Sequence, residues 1–536
     1  MRILRSRILE QMVTDLSPAH NWKHCILAVS GHTSLVSASS PDVSNRNCYS
    51  TWWSQSQRSH IISRHGNRNL WTLKGTSHSN LALFQLVHNK IQNQRPILKR
   101  WKTKKNVYER KVKQTKRDVE EMPVFQYAGE RSKRAQRLYV WGFAFTGALG
   151  IPTFVKTKGT GKPPRRYQVT PYRLDLDEKI SDLSCGYGFT LLASGQKDAR
   201  KVFGTGINTD SQLGFQEMSG VPGQSLDYVI RPISVSLPLT KPLTTRVVQV
   251  ACGRAHSLVL TDQEGVFSLG NNVHGQCGRP IIENEMYQGN PIIHKIRKLE
   301  NSVTQIACGH DHSLFLTEKG EVYSCGWGAD GQTGLGHYNT SSQPAKLEGD
   351  INNEKIIKVT SFADCCLALS EKGKVFGWGN SEYNQLSSVT EETQVCTPTH
   401  LPLKVGKVVD IATGGTICAV LNEFGEVFVW GYGILGKGPN LRESKIPEKI
   451  PPSLFGKSQY NKEISVTKIT CGLHHFAAVN SSGLGELFTW GRNESGCLGL
   501  GHRKDQFFPM KVHVPGEVTN VACGVDHTVV TAKTYI

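Results

Sequence analysis

The chain has 536 residues, 38% apolar and 20% charged, with 52 glycines, which fits two or three ordinary domains or one large all-β domain with a tail. The glycine load calls for many tight turns, and no run of eighteen apolar residues exists to cross a membrane as a helix. The net charge of +19 is uneven: residues 1–117 hold 21 Lys/Arg against Glu10, Asp15, Asp42 and Glu109, and the rest is nearly neutral.

Residues 1–122 read as a basic, largely disordered segment. Acids are absent from 16–41 and 43–108, and serine is frequent. Arginine- and serine-rich, acid-poor composition predicts a mitochondrial targeting signal, removed before Asp118. Early Glu10 and Asp15 and the great length of the segment speak against that reading. Within it, 99–117 (KRWKTKKNVYERKVKQTKR) carries ten basic side chains and one acid, with Trp101 and Tyr108 interleaved. That composition also suits a nuclear-localisation or nucleic-acid-binding tail.

From 123 to 536 the sequence repeats itself. An Ala-Cys-Gly unit, followed by a His and an apolar run, recurs at Cys185, Cys252, Cys308, Ser361, Thr413, Cys471 and Cys523. A second half-motif, an apolar strand ending in Trp-Gly or a variant, falls at Trp141, Phe203, Leu269, Trp327, Trp378, Trp430 and Trp490. The period of about fifty residues is that of propeller blades. Short strands alternate with glycine turns, as in Ser313–Thr317, Glu318-Lys319-Gly320 and Val322–Cys325. A proline marks the edge strand, as in Pro344 and Pro509, because an edge can spare the N–H. The body opens on a Trp-Gly half and closes on a Cys-Gly half. Pairing the two predicts a seven-bladed β-propeller with its ring closed between the ends.

These residues resemble the regulator-of-chromosome-condensation repeat family, through ACGRAHSLVLT, GWGADGQTGLGHYN and YVWGFAFTGALGIP. The resemblance is strongest to a mitochondrial branch. It implies a guanine-nucleotide exchange factor for a mitochondrial, dynamin-related GTPase of inner-membrane fusion. It also implies a factor in mitochondrial ribosome assembly that contacts large-subunit ribosomal RNA, peripheral at the inner membrane or in the matrix. In nuclear relatives a β-wedge from one blade prises nucleotide from the GTPase, and no stretch here matches its sequence.

Cysteine and histidine in one motif raise the question of metal or thiol chemistry. The motif recurs at every blade and is freely substituted, with Phe189, Cys365 and Ile417 in place of His256, His312, His475 and His527. No C-x-x-C pair with zinc spacing occurs, so these positions read as architecture and no metal or cofactor is expected. Two G-x-G-x-x-G runs, from Gly326 and from Gly431, lie between strands and not before a helix, so they read as blade turns.

Two insertions stand out as partner-binding candidates. Residues 151–179 carry Lys162, Arg165 and Arg166 among Gly and Pro, which suits RNA or an acidic partner. Residues 437–463 begin at Lys437 and hold Leu454-Phe455 among prolines, long for a blade connection. No paired carboxylates argue for an enzyme. The competing reading is a nuclear, chromatin-associated exchange factor that grips DNA with 99–117.

Overall fold

The computed structural model describes residues 135–155, 164–195, 201–297, 299 and 302–534. The basic segment, its 99–117 stretch and Lys162 lie outside them. The described chain forms seven antiparallel four-stranded sheets. Blade 1 covers 180–234, blade 2 247–295, blade 3 303–346, blade 4 356–401, blade 5 408–449 and blade 6 466–512. Blade 7 joins the two ends: Glu517–Cys523 and His527–Lys533 supply its first two strands, Gln136–Phe143 and Tyr167–Leu174 the outer two. The seam runs in register from Gln136↔Lys533 to Gly142↔His527. First strands pack against first strands all round, including blade 7 against blade 1, so they form the inner wall of a closed ring.

Each second strand buries six residues in a row around an apolar centre, as in His312–Thr317 or Cys365–Ser370. The core therefore lies between blades, not at one centre. Leu191, Val202 and Leu213 of blade 1 pack on Val250, Val259 and Phe267 of blade 2, and Tyr139 and Trp141 of blade 7 pack on Ala477, Val479 and Leu487 of blade 6. Outer strands carry Pro171, Pro232, Pro344, Pro398, Pro447 and Pro509, where a missing N–H leaves no ladder unpaired.

The third strand ends in a glycine because it meets the turn between the first two strands. At Gly379 φ is 97°, and a Cβ there would lie 2.0 Å from Asp364 O. Strand pairing also corrects the assignment of Trp327. His312 pairs with Gly326 where Cys365 pairs with Gly379, so buried Cys325 holds the position of Trp378, and Trp327 stands just beyond the strand, 37% exposed. The run Cys-Gly-Trp-Gly contains two overlapping dipeptides, and only the ladder chooses between them.

Candidate functional site

The Cys-Gly-x-x-His layer sits between the inner and second strands. A Cβ on Gly253 would lie 2.3 Å from His256 Cε1, and one on Gly309 2.0 Å from His312 Cε1, so each glycine makes room for its own histidine ring. Each histidine then reaches the next blade: His256 Nε2 to Ser313 Oγ (3.1 Å), His312 Nε2 to Cys366 Sγ (3.1 Å), His475 Nε2 to Thr528 Oγ1 and His527 Nε2 to Thr190 Oγ1 (both 2.9 Å). Burial lowers His256 and His475 to about 3 and His312 to about 4, so these rings are neutral. Burial likewise pushes the Cys252 thiol up to about 12 and holds Cys185, Cys308 and Cys471 well above the ordinary thiol value, with Cys523 raised in the same way. Protonated, buried thiols are poor nucleophiles. Among the described residues no group of three or more His, Cys, Asp or Glu is placed to hold a metal ion.

Closer to the axis runs a second belt that the repeat pattern does not announce. Asp182, Gln249, Gln305, Lys358, Asp410, Lys468 and Asn520 occupy one bulged position of successive first strands. Each ties its blade to the next. Asp182 accepts from Val250 N, Gln249 exchanges two bonds with Ile306, Gln305 does the same with Val359, and Lys358 donates to Asp410. Asp410 accepts from Ile469 N, Lys468 donates to Asn520, and Asn520 Nδ2 returns to Asp182 (3.1 Å). Two acids and two lysines balance, and the remaining members are neutral amides. A one-residue alphabet cannot reveal this belt from sequence, because Asp, Gln, Lys and Asn share only the ability to bridge.

The side chains free of repeat duties lie at one end of the ring, here called the turn face. In a four-stranded antiparallel blade the first turn and the loop from third to outer strand emerge at that same end. At the axis of this face Tyr187 of blade 1 reaches across to His310 of blade 3 (ring centroids 4.9 Å apart) and stacks on Phe362 of blade 4 (5.8 Å). Arg254 pairs with Asp311 through Nη2–Oδ2 (2.5 Å) and Nε–Oδ1 (3.2 Å), and its guanidinium is half-exposed. His310 Nδ1 meets Asp364 Oδ2 at 2.8 Å. Burial opposes charge on Asp364, yet His310 and Gln332 hold its carboxyl below the usual range. Gln276 Nε2 and Gln332 Nε2 support Asp311 and Asp364 from neighbouring loops at 3.5 and 3.1 Å.

Around this mouth the seven long loops divide by charge. The loops of blades 1 to 4 (208–227, 271–292, 327–340, 381–393) carry nine acids and one arginine, Arg279, which is consumed by a buried pair with Glu285 (2.5 Å). Burial opposes charge on Glu285, but Arg279 keeps its carboxyl low. The pair fixes a loop that exposes Ile281, Ile282 and Met286, the last 75% exposed. The described loop residues of blades 5 to 7 (433–442, 492–505, 144–155 and 164–166) carry seven Lys/Arg and two acids.

The candidates read from sequence separate on this map. Arg165 and Arg166 are exposed on the basic half. Lys437 lies there too, but it is half-buried and pairs with Glu448. The 437–463 stretch is not a free loop: it holds the outer strand Glu443–Lys449 and a 3-10 turn, Pro452–Phe455, at the opposite end of the ring. Phe455 is 2% exposed and meets Phe488 and Trp490 edge-on, both at 5.8 Å, while Leu454 packs against the same core. The apolar pair is therefore core, turned inward because the prolines set the turn that Gly456 closes. Trp378, Trp430 and Trp490 are buried at blade junctions. Sequence reading missed Arg254, Asp311 and Tyr187, whose only signal was variation inside an otherwise repeated turn.

Comparison with known proteins agrees with this architecture. The RCC1-like domain matches residues 201–534. The chain is similar to the human and mouse proteins named RCC1-like G exchanging factor-like protein, each 59% identical over 423 residues, which span 78% of this chain and 91% of the relative. A bovine secretion-regulating guanine nucleotide exchange factor is 29% identical over 356 residues, 62% of this chain and 71% of its own. Among solved structures, that of human WBSCR16 superposes with a TM-score of 0.71 at 59% identity, covering 75% of this chain and all of that one. Yeast RCC1 (Prp20), solved bound to Kap60, shares the fold with a TM-score of 0.61 at 21% identity, covering 75% of this chain and 90% of that one. The chain belongs to the RCC1-like propeller family, that of the guanine-nucleotide exchange factors.

Proposed function

We propose that this chain is a mitochondrial exchange factor that docks a dynamin-related, inner-membrane-fusion GTPase on the turn face, over the mouth and its acidic half. The observation that carries the reading is the mouth cluster of Arg254, Asp311, His310 and Asp364. It gathers a guanidinium, two carboxylates and an imidazole from three blades, with Arg254, His310 and Asp364 partly exposed and none of the four needed by the repeat. Exchange needs no nucleophile, because tighter binding of the nucleotide-free GTPase than of the loaded form suffices. The names of the 59% identical relatives support the exchange activity. The Arg/Ser-rich, acid-poor start supports a matrix address, with peripheral contact to the inner membrane; among the described residues no helix is long and apolar enough to cross one.

The test is release of a fluorescent GDP analogue from purified mitochondrial GTPases, with and without the full chain. Accelerated release that is lost in Arg254→Glu supports the reading. Unchanged release from every such GTPase would sink it. A mature terminus between about residues 60 and 120 in the mitochondrial fraction supports the address, whereas intact Met1 in the nucleus would favour the chromatin-bound alternative.

A second reading has an observation of its own. The basic half of the same face suits a ribosome-assembly role with contact to large-subunit ribosomal RNA and its assembly factors.

A further inference from the structure

We propose that the described loop residues of blades 5 to 7 form a binding site for single-stranded RNA, in which arginines held over aromatic rings offer their exposed guanidiniums to bases. The inference rests on the ribosome-assembly reading above and assigns its site and mode. Arg503 Cζ stands 3.8 Å from the Tyr167 ring centre, Arg442 5.1 Å from Phe507, and Arg166 and Arg165 each 5.8 Å from Phe145 and Phe154. All four arginines are exposed, and all sit in the three basic loops. Among the described residues, no arginine of the acidic half stands over a ring.

Charge alone would suit any polyanion. A guanidinium held over a ring does more: it is planar, weakly hydrated and able to stack on a base. Duplexes hide base faces, whereas single strands offer them, so the stacked arrangement selects unpaired nucleotides. The platform is also rigid. Gly501 N donates to Val169 O (2.8 Å) and Gly438 N to Phe507 O (2.9 Å), so each loop is pinned to the outer strand of the next blade. The acidic loops of blades 1 to 4 repel phosphates and confine the strand to three blades. Acidic peptides and anionic lipid could use the charge but not the planes.

The test uses the full chain and a fluorescein-labelled oligouridine, read by anisotropy across a salt series. Lys/Arg→Gln changes at 99–117 in a matched protein separate any contribution of that stretch. Replacing Arg165, Arg442 and Arg503 together by Glu is expected to weaken binding at least about tenfold and to lower the salt slope by about 2. Arg503→Lys keeps the charge, so the slope should hold while affinity falls several-fold, and an unchanged melting point excludes misfolding. Equal affinity for a duplex of the same length, or no loss in Arg503→Lys, would overturn the stacking mode. Binding that disappears only with the 99–117 changes would overturn the site while leaving the RNA reading intact. No binding to any RNA would remove both. Arginine-dependent binding to phosphatidylserine vesicles without RNA binding would reassign the surface to membrane.

Discussion

The two halves of the turn face are built on the same blade and do opposite things with it. In blades 1 to 4 the loop after the third strand keeps a glutamine, Gln212, Gln276, Gln332 or Gln385, whose side-chain oxygen takes the backbone N–H two residues back. In blades 5 to 7 that place is taken by Ile434, Cys497 and Ala148. The glutamine half carries acids and exposed apolar tips, and the other half carries arginines on rings. Beneath both, the second strands, junction cores and polar belt continue without a break. Scaffold and surface are thus separable: what repeats holds the ring, and what departs from the repeat shapes the turn face.

The sharpest way to break that division is to damage the scaffold under one half only. Phe455→Ala should cost about 3–5 kcal/mol in urea denaturation, the range for emptying a packed aromatic site, and should leave a folded fraction with normal partner binding. Loss of binding without loss of stability would return 437–463 to the partner surface. Gly309→Ala should be comparably severe, because the new Cβ meets both His312 Cε1 (2.0 Å) and Ala363 O (2.5 Å).

Acid should strike the scaffold before the surface. His256, His312 and His475 are held at about 3 to 4 in the folded ring, below the ordinary 6.5. Between those values the unfolded chain binds more protons, so their contribution is complete above about pH 6.5 and is lost as pH falls toward 3. Each histidine adds a slope of at most about 1.4 kcal/mol per pH unit. His312→Phe borrows the residue that Phe189 already supplies at this position and should flatten the loss between pH 7 and pH 5. An unchanged slope would mean that the ring is protonated in place. A smaller effect is expected at the mouth: Gln276→Ala leaves Asp311 less supported and should slow exchange several-fold, with stability reduced by about 1 kcal/mol.

Much of the scaffold was legible because it repeats. Period, glycine placement and the split terminal blade all follow from spacing, and the edge prolines mark outer strands. Legibility failed where one-dimensional neighbours mislead. Trp327 sits in a doubled Cys-Gly-Trp-Gly that only strand pairing resolves. Phe455 looks like an exposed anchor among prolines, yet those prolines are what turn it inward. The site was less legible, since the turn-face residues are defined by departures from the repeat. Arg254 and Asp311 lie 57 positions apart and meet only because consecutive blades are adjacent.

The smallest predicted effect is the one that most sharpens the contrast between the halves. Lys437 belongs to a basic loop, but its amine already pairs with Glu448 inside blade 5, and it stands over no aromatic ring. A partly exposed pair of this kind contributes about 0–1 kcal/mol. Lys437→Ala should therefore move the urea midpoint little and leave oligouridine affinity within about twofold. The contrast with Arg503→Lys is then the informative quantity, since one change removes a charge and no stack, and the other removes a stack and no charge. If Lys437→Ala weakened RNA binding as much as Arg503→Lys, net charge would explain the basic half and the rings would be mere padding. If only the arginine change is felt, blades 5 to 7 differ from blades 1 to 4 in geometry as well as in sign.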